Sequence, residues 1–263
     1  MALVGQTFLP SFLSLPMCLL AIFFRAVPDA TLVVGANREE FYARPGEPPQ
    51  ILDGRLRAAA GVDPQAGGTW FGVNSHGVVV AVTNRANSRV PANPRSRGLL
   101  TRDLLACPSA KEAVDIGIGE LSSRRYAGCN LFCGDSERAV VIEGAEWLRV
   151  RPLPPGLHVV ANRGINDGSD PRVLYALEWL GQRYYPSAAS CLKALAELCG
   201  QTGSDHPPIC LHGDNKGTVS SSLLAVRKPL SRSTYLHAQG PPDTTAYQDV
   251  SSLLVQLAAD AYR

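Results

Sequence analysis

Cys18 follows directly on Met17 and opens the apolar run 18–27, CLLAIFFRAV. In a chain started at Met17, removal of the initiator would leave Cys18 as the first residue. A terminal cysteine carries its own α-amine, with a pKa of about 7.7–8.0. That amine can take the thiol proton near neutral pH and later return it to a leaving amine. Inside a chain the same nitrogen is an amide and cannot serve as a base. The stretch Asn37-Arg38-Glu39-Glu40-Phe41 ends the next apolar run, TLVVGA at 31–36. If the two runs pair as a hairpin, Arg38 lies near Cys18 and favours its thiolate, lowering a pKa that starts at about 8.5. The other reading of NREEF is a surface charge cluster closing a strand. Asn84 ends the run VVVAVTN, and Asn162 ends LHVVAN. An asparagine there caps a turn, or two such residues donate amide hydrogens to a developing oxyanion.

The surrounding pattern must place these groups. Residues 18–27 and 31–36 read as a strand pair about the Pro28-Asp29 turn. A loop rich in Pro and Gly runs on through Asp63-Pro64. Residues 69–74 and 78–83 flank Ser75-His76-Gly77 as a hairpin, and 85–97 is a polar loop. Helices are expected over 99–106 and 110–121, the second opened by a capping box of Ser109 and Glu112. Strands follow at 128–134, 139–144, 147–151 and 157–162. Asp170-Pro171 starts a helix that reaches about Gln182 by the proline-at-first-turn rule, and 190–199 is another. After a loop at 201–217, residues 218–226 and 231–237 form a last hairpin. A helix over 249–262 ends the chain. Local strand pairs make antiparallel sheets, and helices arriving in pairs cover their outer faces. Strands apolar on both sides fit two stacked sheets. The expected fold class is α+β, a four-layer αββα sandwich.

Several segments also carry a resemblance: MCLLAIFF at 17–24, GANREEFYARP at 35–45, GGTWFGVNSHGVVVAVTNRAN at 67–87, YAGCNLFCGD at 126–135 and GTVSSSLLAV at 217–226. In this order they resemble the NRDE family, also called the transport and Golgi organisation protein 2 family, over residues 17–263. That family in turn resembles the N-terminal-nucleophile hydrolases of the penicillin and bile-salt acylase branch. The resemblance implies the same αββα sandwich, with Cys18 as nucleophile, Arg38 as its activating arginine and Glu39 or Glu40 as the nearby acid. It matches Asn84 and Asn162 to the oxyanion side. Asn37, Glu40, Trp70 and Asn130 are candidate substrate-binding residues, although Trp70 also reads as hairpin packing. Glu39 stands where the family motif has Asp, one methylene shorter. Arg227 and Arg232 are the candidates for the branch's second arginine. The implied activity is an amidohydrolase or acyl transferase acting on a linear, non-peptide C–N bond of a small amide. The alternative is a non-catalytic carrier of haem or an acyl-lipid on the same fold, linked in relatives to haem trafficking, Golgi organisation and secretion. Neither metal nor cofactor is expected under the enzyme reading.

Composition narrows the remaining classes. Lys plus Arg number 25 against 23 Asp plus Glu, with no basic stripe, so a nucleic-acid partner is not expected. Hydrophobic residues are 45% of the 263, enough for a sizeable core. The seven cysteines match no zinc-ribbon or thioredoxin spacing and read as reduced thiols of a cytoplasmic protein. Cys129 and Cys133 share a strand face, too far apart for a relaxed disulfide. His206, Cys210 and His212 share a loop and could ligate a metal, but they close no ligand set and read as solvated loop residues. Residues 1–24 are uncharged. They lack the basic n-region and small-x-small site of a signal peptide. Pro10 and Pro16 interrupt the apolar run before the roughly 20 residues a membrane-spanning helix needs. Residues 1–16 therefore read as an upstream extension, absent or removed in the mature protein, with 17–263 as one domain.

Overall fold

The computed structural model describes residues 18–86 and 88–260. Residues 1–16, Met17 and Tyr262 at the expected end of the last helix lie outside the described residues. The chain opens with β1 (Leu19–Val27) and β2 (Ala30–Phe41), then β3 (Glu47–Leu52), β4 (Ala58–Val62), β5 (Phe71–Asn74) and β6 (Val79–Asn84). Two helices follow, α1 (Arg97–Leu104) and α2 (Ala110–Ser122). Next come β7 (Cys129–Gly134), β8 (Ala139–Gly144), β9 (Leu148–Pro152), β10 (Gly156–Ala161) and β11 (Gly164–Ile165). A second helix pair, α3 (Pro171–Gly181) and α4 (Ala188–Cys199), leads to β12 (Lys216–Val226), β13 (Thr234–Ala238), β14 (Gln248–Asp249) and α5 (Ser252–Asp260).

The strands form two antiparallel sheets. One has the order β11-β10-β1-β2-β12-β13-β14, the other β3-β4-β5-β6-β7-β8-β9. The apolar run of β1 has no polar face because both of its faces are covered. Leu19, Ala21 and Phe23 pack with Val173, Ala176, Leu195 and Leu198 of α3 and α4. Leu20, Ile22 and Phe24 pack with Phe71, Val79, Phe132 and Val141 of the opposite sheet. A third core joins Val80, Leu131 and Ile142 to Leu100, Leu104 and Ala113 of α1 and α2. The four layers αββα follow from these three cores. Among the described residues no helix is long and apolar enough to cross a membrane.

Caps set the helix starts. Ser109 accepts from Glu112 N, Asp170 accepts from Arg172 N with Pro171 in the first turn, and Ser187 shares a capping box with Ser190. The α4 helix thus starts two residues before the expected position. Two differences bear on the site. Residues 47–52 and 58–62 are strands rather than loop, since the Ala58-Ala59-Ala60 stretch is buried against its neighbours despite weak strand propensity. The strand β2 also runs through Asn37-Arg38-Glu39-Glu40 to Phe41 instead of stopping before it, because β12 pairs with it as far as Lys216↔Phe41. The last helix differs in role: Leu254 and Leu257 of α5 join the core between the sheets.

Candidate active site

Register places the thiol. In β1, Leu20 pairs with Ala36 of β2 on one side and with Val160 of β10 on the other. Two further residues along both antiparallel ladders, Cys18 falls between Arg38 and Asn162. The sulfur faces a cleft of about 260 Å³ whose walls include Arg38, Glu39, Glu40, Trp70, Asn84 and Arg97. The first sheet supplies Cys18, Arg38 and the two glutamates. The second supplies Asn84 at the end of β6 and Trp70 before β5, and the α1 N-terminus closes the rim. The volume suits a small ligand group.

Arg38 is buried, and its guanidinium lies 4.3 Å from the centre of the Trp70 ring. Its Nη1 and Nη2 each donate to the Arg44 carbonyl at 3.3 Å, and Nη2 lies 3.7 Å from Glu40 Oε2. Arg44 in turn holds Asp63 at 2.5 Å. This chain of contacts fixes the cation beside the thiol. Its pull on the thiol is the expected one, but it is outweighed. Burial and the Glu39 carboxyl push the Cys18 thiol up to about 12, while the Glu39 carbonyl, which accepts from Sγ at 3.8 Å, and Arg38 pull it down. The expected low-pKa thiolate is therefore not what this environment makes of a Cys18 that is peptide-bonded to Met17.

Glu39 turns to the opposite face of β2 from Arg38, as strand alternation requires. Its Oε1 accepts from Thr218 Oγ1 at 3.2 Å and lies 3.8 Å from Arg172 Nη2. Among the described residues its Oε2 is buried with no hydrogen-bond partner within bonding geometry, although the Cys18 thiol lies close enough to lower its pKa. Burial raises this carboxyl to about 8 against the opposing pull of Arg172. Arg172, in the first turn of α3, is the arginine that reaches Glu39, while Arg44, Arg95 and Arg97 line the cleft with Cys18 and Arg38. Arg227 Nη2 binds Asp29 Oδ2 at 3.1 Å, at the far end of the β1–β2 hairpin, and Arg232 lies in the adjoining turn. A signal for Arg172 does exist in the sequence: it follows the Asp-Pro start on the face that also carries the buried Val173 and Ala176.

Four asparagines were candidates, and the fold uses them differently. Asn84 lines the cleft. Asn162 is buried just beyond β10, and its carbonyl accepts from Ala86 N at 2.9 Å, which ties it to the segment leaving Asn84. Asn37 is turned away from the cleft. Its Nδ2 donates to the carbonyls of Cys199 at 2.9 Å and Ile209 at 3.1 Å, fastening β2 to α4 and the following loop. Asn130 sits beneath the site. It donates to Ala161 O at 2.8 Å and Thr83 Oγ1 at 3.1 Å and accepts from Arg85 at 2.9 Å, bridging the two sheets. Of the other candidates, Glu40 and Trp70 face the cleft, while His206 stacks on Tyr175 at 4.5 Å, away from Cys210 and His212. Cys129 and Cys133 are free and buried.

A family model described as "Transport and Golgi organisation 2" matches residues 17–234. The Bos taurus transport and Golgi organization protein 2 homolog is 34% identical over 133 residues, which cover 45% of this chain and 45% of that protein. The Homo sapiens homolog is 28% identical over 137 residues, covering 47% of each. The matched region spans about half the length of these curated relatives. Among solved structures, the Caenorhabditis elegans ortholog of N-acylethanolamine-hydrolyzing acid amidase superposes with a TM-score of 0.54 at 15% identity, over 79% of this chain and 92% of that one. Penicillin V acylase from Agrobacterium tumefaciens gives 0.52 at 13% identity, over 90% and 88%. A variant of conjugated bile acid hydrolase from Clostridium perfringens gives 0.51 at 12%, over 89% and 93%. At these identities the likeness establishes the fold, the αββα sandwich of the N-terminal-nucleophile hydrolases.

Proposed function

The chain belongs to the transport and Golgi organisation 2 family, and on that premise we propose that it is an amidohydrolase or acyl transferase using Cys18 as an N-terminal nucleophile on a linear, non-peptide C–N bond. The observation that carries this reading is the register of β1, whose continuation brings Cys18 toward Arg38 and Asn162, in a cleft lined by Cys18, Arg38 and Asn84. In the mature form the α-amine of Cys18 accepts the thiol proton. The thiolate attacks the substrate carbonyl, and the oxyanion of the tetrahedral intermediate receives amide hydrogens from Asn84 and Asn162. The protonated amine then returns its proton to the departing nitrogen as the C–N bond breaks. A thioester remains, which water or an acceptor amine resolves. Arg38 stabilises the negative charge on sulfur. Burial raises the Glu39 carboxyl, which lessens the negative charge that opposes the thiolate there.

The raised thiol of a peptide-bonded Cys18 supports a second reading, a binding scaffold for an acyl or haem ligand that needs no nucleophile. Seven free thiols support a reducing, cytoplasmic location. A panel of N-acyl amino compounds and penicillin V separates the two functions. The enzyme reading predicts turnover or an acyl adduct on Cys18 that Cys18→Ala abolishes. Asn162→Ala slows it about 10²–10³-fold, as loss of one oxyanion donor does, with the circular dichroism unchanged. Stoichiometric haem binding that shifts the Soret band equally in wild type and Cys18→Ala, with no adduct from any compound, would replace the enzyme by the carrier.

A further inference from the structure

A second group of reactive side chains lies outside the cleft. Cys210 and His212 stand two residues apart on the segment leading into β12, and the turn after β13 brings Asp243 against them. Cys210 Sγ donates to Asp243 Oδ1 at 3.2 Å, His212 Nε2 meets Asp243 Oδ2 at 2.9 Å, and Sγ lies 3.8 Å from the same Nε2. A nucleophile–base–acid relay would need the imidazole to address thiol and carboxylate through opposite ring nitrogens. Here one nitrogen faces both, and one donor atom from each of the three residues lies within 4.8 Å of the other two. Tetrahedral zinc, with bonds of about 2.3 Å to sulfur and about 2.0–2.1 Å to nitrogen and oxygen, holds its ligands roughly 3.3–3.6 Å apart. Sulfur meets Oδ1 at 3.2 Å, Nε2 meets Oδ2 at 2.9 Å and sulfur lies 3.8 Å from Nε2, contacts on either side of that spacing, and rotation of the Asp243 carboxylate brings one oxygen to face both partners.

We propose that Cys210, His212 and Asp243 form a mononuclear zinc site with its fourth position open to solvent. A thiolate with imidazole and one carboxylate is a donor set for zinc rather than for magnesium or calcium, which prefer all-oxygen shells. On binding, Cys210 releases its thiol proton to solvent and its sulfur bonds the metal. The buried sulfur anchors the site, and the half-exposed His212 leaves a path for the ion. Backbone contacts hold the ligands in place beforehand. Cys210 N and Ile209 N both donate to Gln201 O at 2.8 Å, and Thr245 N donates to Pro241 O at 2.9 Å in the Asp243 turn. The metal fastens the 201–217 loop to that turn. The fastening reaches Glu39: Leu211 N, between the two ligands, donates to Thr218 Oγ1 at 2.8 Å, and that hydroxyl donates to Glu39.

Elemental analysis of the full chain, stripped with chelator, reloaded with zinc and gel-filtered, tests the site. One zinc per chain is expected. Cobalt in its place should give a near-ultraviolet thiolate-to-metal charge-transfer band. Zinc at a hundredfold excess over its Kd should raise the melting temperature by about 5–10 °C. Cys210→Ser should remove the cobalt band. Asp243→Asn and His212→Gln should each weaken zinc binding more than about 100-fold, since even groups beyond the ligand shell cost about 10–100-fold. The partly exposed His212 gives a variant that keeps the core intact if Cys210→Ser does not fold. Cys18→Ala should change none of these readings, which separates this site from the proposed nucleophile. No retained zinc, a cobalt band that persists in Cys210→Ser, or one that vanishes in Cys18→Ala would each overturn the assignment.

Discussion

Arg38 and Glu39 are neighbours on β2, yet their surroundings treat them in opposite ways. Arg38 keeps its charge against Trp70 and Glu40. Burial disfavours the charged form of Glu39, which lies on the other face. This has a consequence for stability. In the unfolded chain the Glu39 carboxyl titrates near 4.5, and in the fold near 8. Between those values the unfolded state binds fewer protons, so stability falls as pH rises through the window and is fully retained below it. Glu39→Gln stays neutral and removes that slope. The melting temperature of the variant relative to wild type should climb by several °C between about pH 5 and pH 8.5, at about 2–4 °C per kcal/mol for a chain of this size. A difference that is flat or falls with pH would show that Glu39 is charged in the fold. The same alternation explains why the asparagines were indistinguishable in the sequence. Asn37 looks as functional as Asn84 by type and by place at the end of an apolar run. Only the pairing partner of β2 shows that it faces α4.

The elements that shape the cleft were partly legible. The β1–β2 pair, both helix pairs and the β5–β6 hairpin follow from apolar runs, caps and turn residues in the sequence. The β3–β4 pair did not, because Pro48-Pro49 and a run of alanines carry no strand signal and the neighbouring strand recruits them. That missed pair matters, since it holds Trp70 in place. A Cβ on Gly61 of β4 would stand 2.6 Å from Trp70 Cζ2 and 2.8 Å from Cη2. The bare glycine lets the indole lie flat over Arg38. Gly61→Ala should therefore cost about 1–3 kcal/mol, as overpacking does, and shift the Trp70 fluorescence. Adding Trp70→Ala to the Gly61→Ala background should recover the overpacking part of the loss. If the single Gly61→Ala variant melts with wild type, the indole is not confined there.

At the scale of the molecule, the layer order was readable because β1 is apolar on both faces and only a covered sheet tolerates that. The proposed dependence of the site on a chain end rests on one dipeptide, Met17-Cys18. The long reach of Arg172 from α3 to Glu39 was not readable, since it depends on how the helix layer seats on the sheet. The proposed activity depends on Cys18 acting from a free terminus, because burial pushes the peptide-bonded thiol up and an amide nitrogen gives it no base. Intact-mass spectrometry can compare two forms of the protein, one beginning at Cys18 and one retaining residues 1–17, after equal exposure to the same reactive N-acyl compound. The form beginning at Cys18 should acquire a single acyl group that maps to Cys18, and the form retaining residues 1–17 should stay unmodified over the same period. Equal acylation of both forms, or of Cys210 in place of Cys18, would contradict it.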